Sequence, residues 1–182
     1  MKNIKIDYVP KYTYSEYVNW EGRWELIQGV PHAMTPLPTI EHQKASGNIH
    51  LELQRGLKNC KKCAPLLPVD WKIDEETVLQ PDNMVVCGEI SGKYLAHAPV
   101  MIFEIISPST EMKDRQIKYR IYEAEKVKYY ILVDVSSRTA RIFELCAGAY
   151  KKIKETGNDP ISFDLGECSF DFDFGRIWRA LP

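Results

Sequence analysis

Three polar side chains, Asp82, Glu104 and Lys118, occur in an order that suits metal-dependent hydrolysis of a phosphodiester. Glu104 is the most informative of them, because it is the one polar residue in the otherwise apolar segment 100–106. An ionised carboxylate is rarely buried without a compensating partner. We therefore expect a cation beside Glu104, with Asp82 as the second acid that binds it.

The chemistry of phosphodiester hydrolysis explains why these residue types belong together. The reaction needs a cation that neutralises the phosphate, an activated water molecule, and a group that steadies the attacking or leaving oxygen. Mg²⁺ takes oxygen ligands and keeps several waters, so two carboxylates and one main-chain carbonyl are enough to hold it. The ammonium of Lys118 can then orient the water or stabilise the developing oxyanion.

Lys118 lies on a predicted helix, and its place on that helix favours this role. With about 100° between successive residues, Lys118 falls on a stripe that borders the apolar face of the helix. A lysine in such a place packs its stem against the core and presents its ammonium to a cleft. The bordering stripe also contains Asp114 and Tyr122, and the apolar face consists of Ile117, Ile121 and Ala124.

Each of the three residues also has a simpler interpretation when it is taken alone. Asp82 follows a proline and can end a turn, Glu104 can pair with a structural lysine or arginine, and Lys118 can be a solvated helix residue. Their joint order favours a metal site over these alternatives. His42 lies near the start of the first long helix, where it can approach a metal or serve as a helix-end partner, and we treat it as auxiliary.

Hydrophobic periodicity predicts the elements that position these residues. The spacing of Thr13 and Glu16 is that of a capping box and predicts a short helix over 13–20, followed by a hairpin that turns at Gly29. Helices mixed with both distant and hairpin-linked strands predict an α/β fold, with a mixed β-sheet flanked by helices. The further helices are predicted at 40–58, at 110–126 and after Gly175, and the further strands at 66–73, 84–87, 100–106, 129–135, 140–145 and 170–174.

The length of the chain predicts a single domain over 1–182. The 24 basic and 25 acidic side chains give a formal charge of −1, so no global positive field attracts a polyanion. Any contact with nucleic acid must then be local. Lys113, Arg115 and Arg120 on the second long helix are candidates for phosphate contact, although balancing acids also allow a solvated helix.

The five cysteines are an odd number spread through a mid-sized chain, which is more typical of a reducing compartment than of a disulfide framework. The start lacks the pattern of a signal peptide, and no apolar segment approaches the roughly 20 residues that cross a bilayer. We therefore expect a cytoplasmic protein with no membrane partner. Cys60 and Cys63 have the spacing of half a zinc site, yet Cys87, Cys146 and Cys168 are isolated in the sequence, so free, incidental thiols are expected.

Several segments of the chain together resemble the Uma family, which consists of restriction-endonuclease-like proteins of the PD-(D/E)XK superfamily. The resemblance covers nearly the whole chain. It rests on Pro81-Asp82, on segments 24–29, 103–110 and 129–134, on His42 after a proline-rich turn, and on Asp114-Arg115 with Lys118 and Tyr122.

The resemblance implies a restriction-endonuclease-like fold with an added N-terminal helix and hairpin. It implies that Asp82 and Glu104 bind Mg²⁺ or Mn²⁺, with the main-chain carbonyl of Ile105 as a third ligand. Ile106 stands where the superfamily usually has a lysine, and in this family that lysine is displaced to the following helix, which points to Lys118. The auxiliary residues would be Glu25, His42, Asp114 and Tyr122.

The implied activity is that of a metal-dependent endonuclease that cuts DNA and leaves a 5′-phosphate and a 3′-hydroxyl. Cutting both strands requires two sites, so a homodimer is expected. Departures from the family pattern include Gln28 in place of an acid and Lys126 in place of a glycine. Two alternatives stay open: a nucleic-acid-binding or assembly module of the same fold without turnover, and an enzyme that hydrolyses a smaller phosphoester.

Overall fold

The computed structural model of the protein describes residues 9–34, 37–106 and 113–179, without the side chains of 113–115. The helices are α1 (Tyr14–Tyr17), α2 (Ile40–Gly56) and α3 (Tyr119–Ala124), with a π-helical turn (Lys113–Lys118) directly before α3 and a 3₁₀ turn (Phe174–Arg176) near the end. The strands are β1 (Trp24–Ile27), β2 (Val30–Ala33), β3 (Cys63–Leu66), β4 (Trp71–Lys72), β5 (Val78–Leu79), β6 (Asn83–Cys87), β7 (Met101–Ile106), β8 (Tyr129–Asp134), β9 (Thr139–Cys146), β10 (Ala149–Thr156), β11 (Pro160–Asp164) and β12 (Ser169–Asp173). In these described ranges, no helix is both long and apolar enough to cross a membrane.

A six-stranded sheet forms the centre of the fold, with the strand order β10-β9-β8-β7-β6-β3. Strands β7 and β8 run parallel, and the other neighbours in this sheet are antiparallel. A parallel pair needs a crossover connection, which here contains the π-helical turn and α3. The sheet is therefore mixed, as the sequence predicts, and Lys118 lies on its crossover.

Two smaller sheets accompany the central one. The first has the order β2-β1-β5-β4, and the second is the hairpin of β11 and β12. Between β1 and β2, Gln28 and Gly29 have φ of 51° and 80°, the left-handed values that a two-residue hairpin turn requires. The predicted N-terminal helix and hairpin are thus present as α1 and the β1–β2 pair.

Strand β7 lies inside the central sheet and is buried on both faces, which explains its continuous apolar sequence. Phe103 and Ile105 pack into a core cluster with α2 and with the β11–β12 hairpin. Ile102 packs into a second cluster, which contains Tyr122 of α3. Because side chains alternate between the faces of a strand, Glu104 lies on the α3 side.

The second long helix differs from its prediction over 110–126. Residues 110–112 lie outside the described part of the chain, and the helix then runs as a π-helical turn into α3. Its predicted apolar face is wrong, because Ile117 is 40% exposed whereas Lys118 and Tyr122 are buried. A π-helical turn changes which residues face the core, and both buried residues find polar partners on the sheet.

The boundaries of other strands and helices also differ from those predicted from the sequence. The predicted strand 66–73 is divided into β3 and β4, with Pro68 between them, which has no amide hydrogen for a ladder. The predicted terminal helix is a single 3₁₀ turn. Lys126, which replaces a family glycine, has φ of 63°, and this left-handed conformation at a helix end explains why glycine is preferred there.

The expectation of free thiols is wrong for four of the five cysteines. Cys60 is bonded to Cys168 and Cys63 to Cys87, whereas Cys146 is free. The bonded residues are 108 and 24 positions apart in the sequence. The fold alone brings Cys87 and Cys168 next to the Cys60–Cys63 pair, so cysteine spacing could not reveal the contact.

We predict that Gly56→Ala destabilises the protein by about 1–3 kcal/mol, because the added methyl overpacks a filled space. A Cβ at Gly56 would lie 2.5 Å from Phe170 Cδ2 and 3.1 Å from the carbonyl oxygen of Asp171, so the β11–β12 hairpin would have to shift. Urea denaturation measures the effect.

Gly47→Ala in the same helix is the matched control, since its Cβ would meet nothing within 4 Å. That substitution is expected to stabilise the protein by about 1 kcal/mol through helix propensity. Equal stability of the two variants would show that the hairpin does not pack against α2 at Gly56.

Candidate active site

Glu104 and Lys118 form an ion pair inside the protein. Lys118 Nζ lies 2.8 Å from Glu104 Oε1, and the two side chains are 2% and 3% exposed. Tyr122, one helical turn further on, donates its hydroxyl hydrogen to the same Glu104 oxygen at 2.6 Å. The compensation that the sequence requires for Glu104 therefore comes from the crossover helix.

Lys118 is shared with a second buried carboxylate. Its Nζ also lies 2.8 Å from Oε1 of Glu25, a residue of β1 whose side chain is fully buried. The backbone amide of Gln80 donates to the same Glu25 oxygen at 3.0 Å. Because buried charges are tolerated only when they are paired and hydrogen-bonded, Lys118 ties β1, β7 and the crossover helix together.

Asp82 lies directly before β6, beside the end of β7. The antiparallel ladder of these two strands ends at the pair Asn83 and Phe103, so Asp82 and Glu104 are the next residues beyond it on the two chains. Asp82 Oδ2 accepts the amide hydrogen of Ile105 at 2.9 Å and lies 3.2 Å from His42 Nε2. The Asp82 and His42 side chains are 15% and 14% exposed, so this end of the site is the one that solvent reaches.

The protonation of Tyr122 is set by its surroundings. Burial raises the pKa of its hydroxyl well above the usual value, and the negative charges of Glu104 and Glu25 add to the effect. The phenol therefore stays protonated at neutral pH, and Tyr122 acts as a hydrogen-bond donor to Glu104.

The donor set fits a hard divalent cation. Glu104 contacts the Lys118 ammonium, and Asp82 accepts the amide hydrogen of the residue that follows Glu104, so two carboxylates lie on adjacent strands here. Mg²⁺ and Mn²⁺ favour carboxylate, carbonyl and water oxygens. Within residues 9–34, 37–106 and 113–179, three metal-ligating side chains come together only at a group of cysteines elsewhere. A cation here would therefore rely on two carboxylates, the main chain and water.

The remaining predicted site residues lie around this arrangement or outside it. Ile105 is buried in β7, and since the N–H and C=O of one strand residue face the same neighbour, its carbonyl points towards β6 and Asp82. Arg120 is exposed on α3. The side chains of Lys113, Asp114 and Arg115 lie outside the described residues, so their roles stay predictions.

Glu25 has a more central place than the auxiliary role that the sequence predicts. It contacts Lys118 as closely as Glu104 does. A signal for it exists, because Glu25 stands in a short strand beside Leu26 and Ile27, which are both buried. An acid next to buried apolar residues is the same pattern that singled out Glu104.

Comparison with known proteins defines the class of the fold. A crystal structure from Anabaena variabilis, titled "a putative nuclease belonging to DUF820", matches with a TM-score of 0.73 over 91% of this chain and 97% of that one, at 14% sequence identity. The chain thus has a restriction-endonuclease-like fold. Residues 12–170 match the Uma2 family, described as "Putative restriction endonuclease", and the protein belongs to that family. No curated protein matches the chain.

We predict that Lys118→Met destabilises the protein by about 3–5 kcal/mol, because two buried carboxylates lose the charge that they share. Thermal or urea denaturation measures the change. Lys44→Met is the control, since Lys44 is exposed on α2 and its loss is expected to leave the midpoint unchanged. A Lys118→Met protein as stable as the wild type would mean that the buried ion pairs contribute nothing to folding.

Proposed function

We propose that the protein is a Mg²⁺- or Mn²⁺-dependent endonuclease that hydrolyses phosphodiester bonds of DNA. The observation that carries the proposal is that Asp82 accepts the amide hydrogen of the residue after Glu104, with Lys118 only 2.8 Å from Glu104. Membership of the family and the shared fold support a nuclease. In this proposal Asp82 and Glu104 hold the cation, and the carbonyl of Ile105 is the third ligand from the protein.

The bound cation would neutralise charge on the phosphate and lower the pKa of a coordinated water. The surrounding residues hold the two carboxylates in place. His42 Nε2 lies within hydrogen-bonding distance of Asp82, and Tyr122 and Lys118 both donate to one oxygen of Glu104. Such outer partners fix the orientation of ligating groups, so the site is organised before substrate arrives.

Lys118 acts first as a positioning residue in this proposal. It is 2% exposed and engages Glu104 and Glu25, so in the present conformation it orients a carboxylate rather than touching DNA. To assist the attacking water, its ammonium must approach the phosphate. The negative charge that develops in the transition state would favour that approach.

Contact with DNA is proposed through cations of the crossover helix, where Arg120 is exposed and Lys113 and Arg115 precede it. A chain with a net charge of −1 offers only such local contacts, and few phosphate contacts give a shallow dependence of affinity on salt. Cleavage of both strands would require two sites, so we propose that the active form is a homodimer.

A nucleic-acid-binding or assembly module without turnover is the second candidate. The burial of Glu104 and Lys118 favours it, because each charge is already compensated by the other. Calorimetry with Mn²⁺ separates the two candidates, since a module that only binds has no need to retain a metal site.

The decisive test is the cleavage of supercoiled and linear DNA in Mg²⁺ or Mn²⁺. We expect the wild type to nick DNA and a chelator to stop it, whereas Asp82→Asn should lower the rate at least about 100-fold through loss of a ligand. Asparagine keeps an oxygen that can accept the Ile105 amide hydrogen, so the fold should be retained.

Asp171→Asn is the matched control, because Asp171 lies exposed on the β11–β12 hairpin. The Asp171→Asn protein should cleave DNA at the wild-type rate. If wild type and Asp82→Asn both leave DNA and a phosphate ester analogue intact, and neither binds Mn²⁺, the nuclease proposal is wrong.

A further inference from the structure

We propose that the reduced protein binds one Zn²⁺ through Cys60, Cys63, Cys87 and Cys168. This site is separate from the proposed nuclease site and does not depend on it. The two groups lie at opposite ends of β6, with Asp82 before its first residue and Cys87 as its last. At about 3.4 Å per strand residue, roughly 17 Å of backbone separates them.

The geometry of the sulfur atoms is the first argument. The Sγ atoms of Cys60, Cys63 and Cys168 all lie within 4.8 Å of one another, and Cys87 is joined to Cys63. Three sulfurs are thus grouped within 4.8 Å, and the fourth is bonded to one of them. Tetrahedral zinc with bonds of about 2.3 Å places its sulfur ligands about 3.8 Å apart, which this group can reach with small side-chain rotations.

The arrangement is that of one centre rather than of two independent cross-links. Two unrelated disulfides need not lie side by side, whereas three sulfurs that belong to both bonds lie within 4.8 Å of one another here. The Cα atoms of Cys63 and Cys87 are 3.9 Å apart, below the range of roughly 4.4–6.8 Å that disulfides usually span. This Cα–Cα distance therefore does not favour a disulfide over two thiolates that bind one metal ion.

The chain segments that carry the cysteines are held together independently of sulfur. The Gly88 amide, next to Cys87, donates to the Lys62 carbonyl at 2.8 Å. The Lys62 ammonium lies 2.6 Å from a carboxylate oxygen of Glu167, next to Cys168. The ligands are therefore brought together by the fold before any ion binds, which favours a rigid structural site.

Charge and exposure also suit zinc. Four thiolates around Zn²⁺ carry a net charge of −2, and the exposed Lys61, between the first two cysteines, supplies a nearby positive charge. Cys63 is buried and Cys60 and Cys168 are partly buried. The C-x₂-C pair, followed by two cysteines from other segments, has the composition of a closed four-cysteine site.

The chemistry requires a reductant. With a phosphine, each disulfide accepts two electrons and is cleaved to two thiols, while the phosphine takes the oxygen of a water molecule and the thiols take its two hydrogens. Zinc then replaces the thiol protons, which are released to solvent. No electron transfer occurs in the binding step itself.

The experiment uses the full chain, reduced with a phosphine and freed of metal, and then titrated with Co²⁺ and Zn²⁺. We expect one Co²⁺ per chain with the intense absorption of tetrahedral cobalt thiolate, displacement of Co²⁺ by Zn²⁺, and protection of four thiols from alkylation by zinc. An octahedral cobalt spectrum, or thiols that stay reactive in zinc, would overturn the proposal without using any variant.

Variants locate the ligands. Cys60→Ser and Cys168→Ser should each weaken zinc binding at least about tenfold, Cys60→His should restore much of it because imidazole is also a zinc ligand, and Cys146→Ser should bind as the wild type does. Asp82→Asn should also leave zinc binding unchanged, which separates this result from any outcome of the nuclease assay. Equal affinities of Cys60→Ser and Cys146→Ser would contradict the assignment.

Discussion

The buried ammonium of Lys118 is the interaction on which the rest of the structure depends. It lies between Glu25 on the small N-terminal sheet and Glu104 in the central sheet, at 2.8 Å from each. This ammonium compensates the charge of both buried carboxylates. Lys118 therefore holds the small N-terminal sheet against the central sheet. It also orients Glu104, a proposed metal ligand, so the same residue serves the fold and the proposed site.

This sharing limits how the site can evolve. A buried pair that loses one partner leaves an uncompensated charge, which costs more than the pair itself contributes. Substitution of Lys118 or Glu25 is thus expected to lower the stability of the folded protein, whatever its effect on the proposed activity. Asp82 is under less constraint, because it lies at the partly exposed end of the site with His42. The two proposed metal ligands thus stand in different environments, since Glu104 is buried and Asp82 is partly exposed.

The features that follow from local pattern could be predicted from the sequence. Three such features are present in the structure: the apolar strand β7, the turn at Gly29 and the mixed sheet. They depend on hydrophobic periodicity and on turn chemistry. The need of Glu104 for a partner followed from the cost of burying a charge. The pairing of Lys118 with two acids joins distant segments, so no local pattern indicates it.

The features that depend on contacts between distant segments could not be predicted. The face of the crossover helix was assigned from a period of 3.6 residues, and the π-helical turn breaks that period. Ile117 faces out as a result. The grouping of the cysteines is set by the packing of the β11–β12 hairpin next to the end of β6, and no spacing in the sequence encodes it. Local sequence rules account for β7 and for the turn at Gly29, whereas long-range packing determines the buried face of the crossover helix and the grouping of the cysteines.

The hydrogen bond from the Ile105 amide to Asp82 has a consequence for the strand ladder. The amide is held by a side chain, at the place where the backbone pairing between β6 and β7 ends. The exchange of this one amide hydrogen with solvent deuterium therefore reports the state of the Asp82 carboxylate, because an ion that draws on the same oxygen alters that exchange and leaves the rest of the ladder untouched.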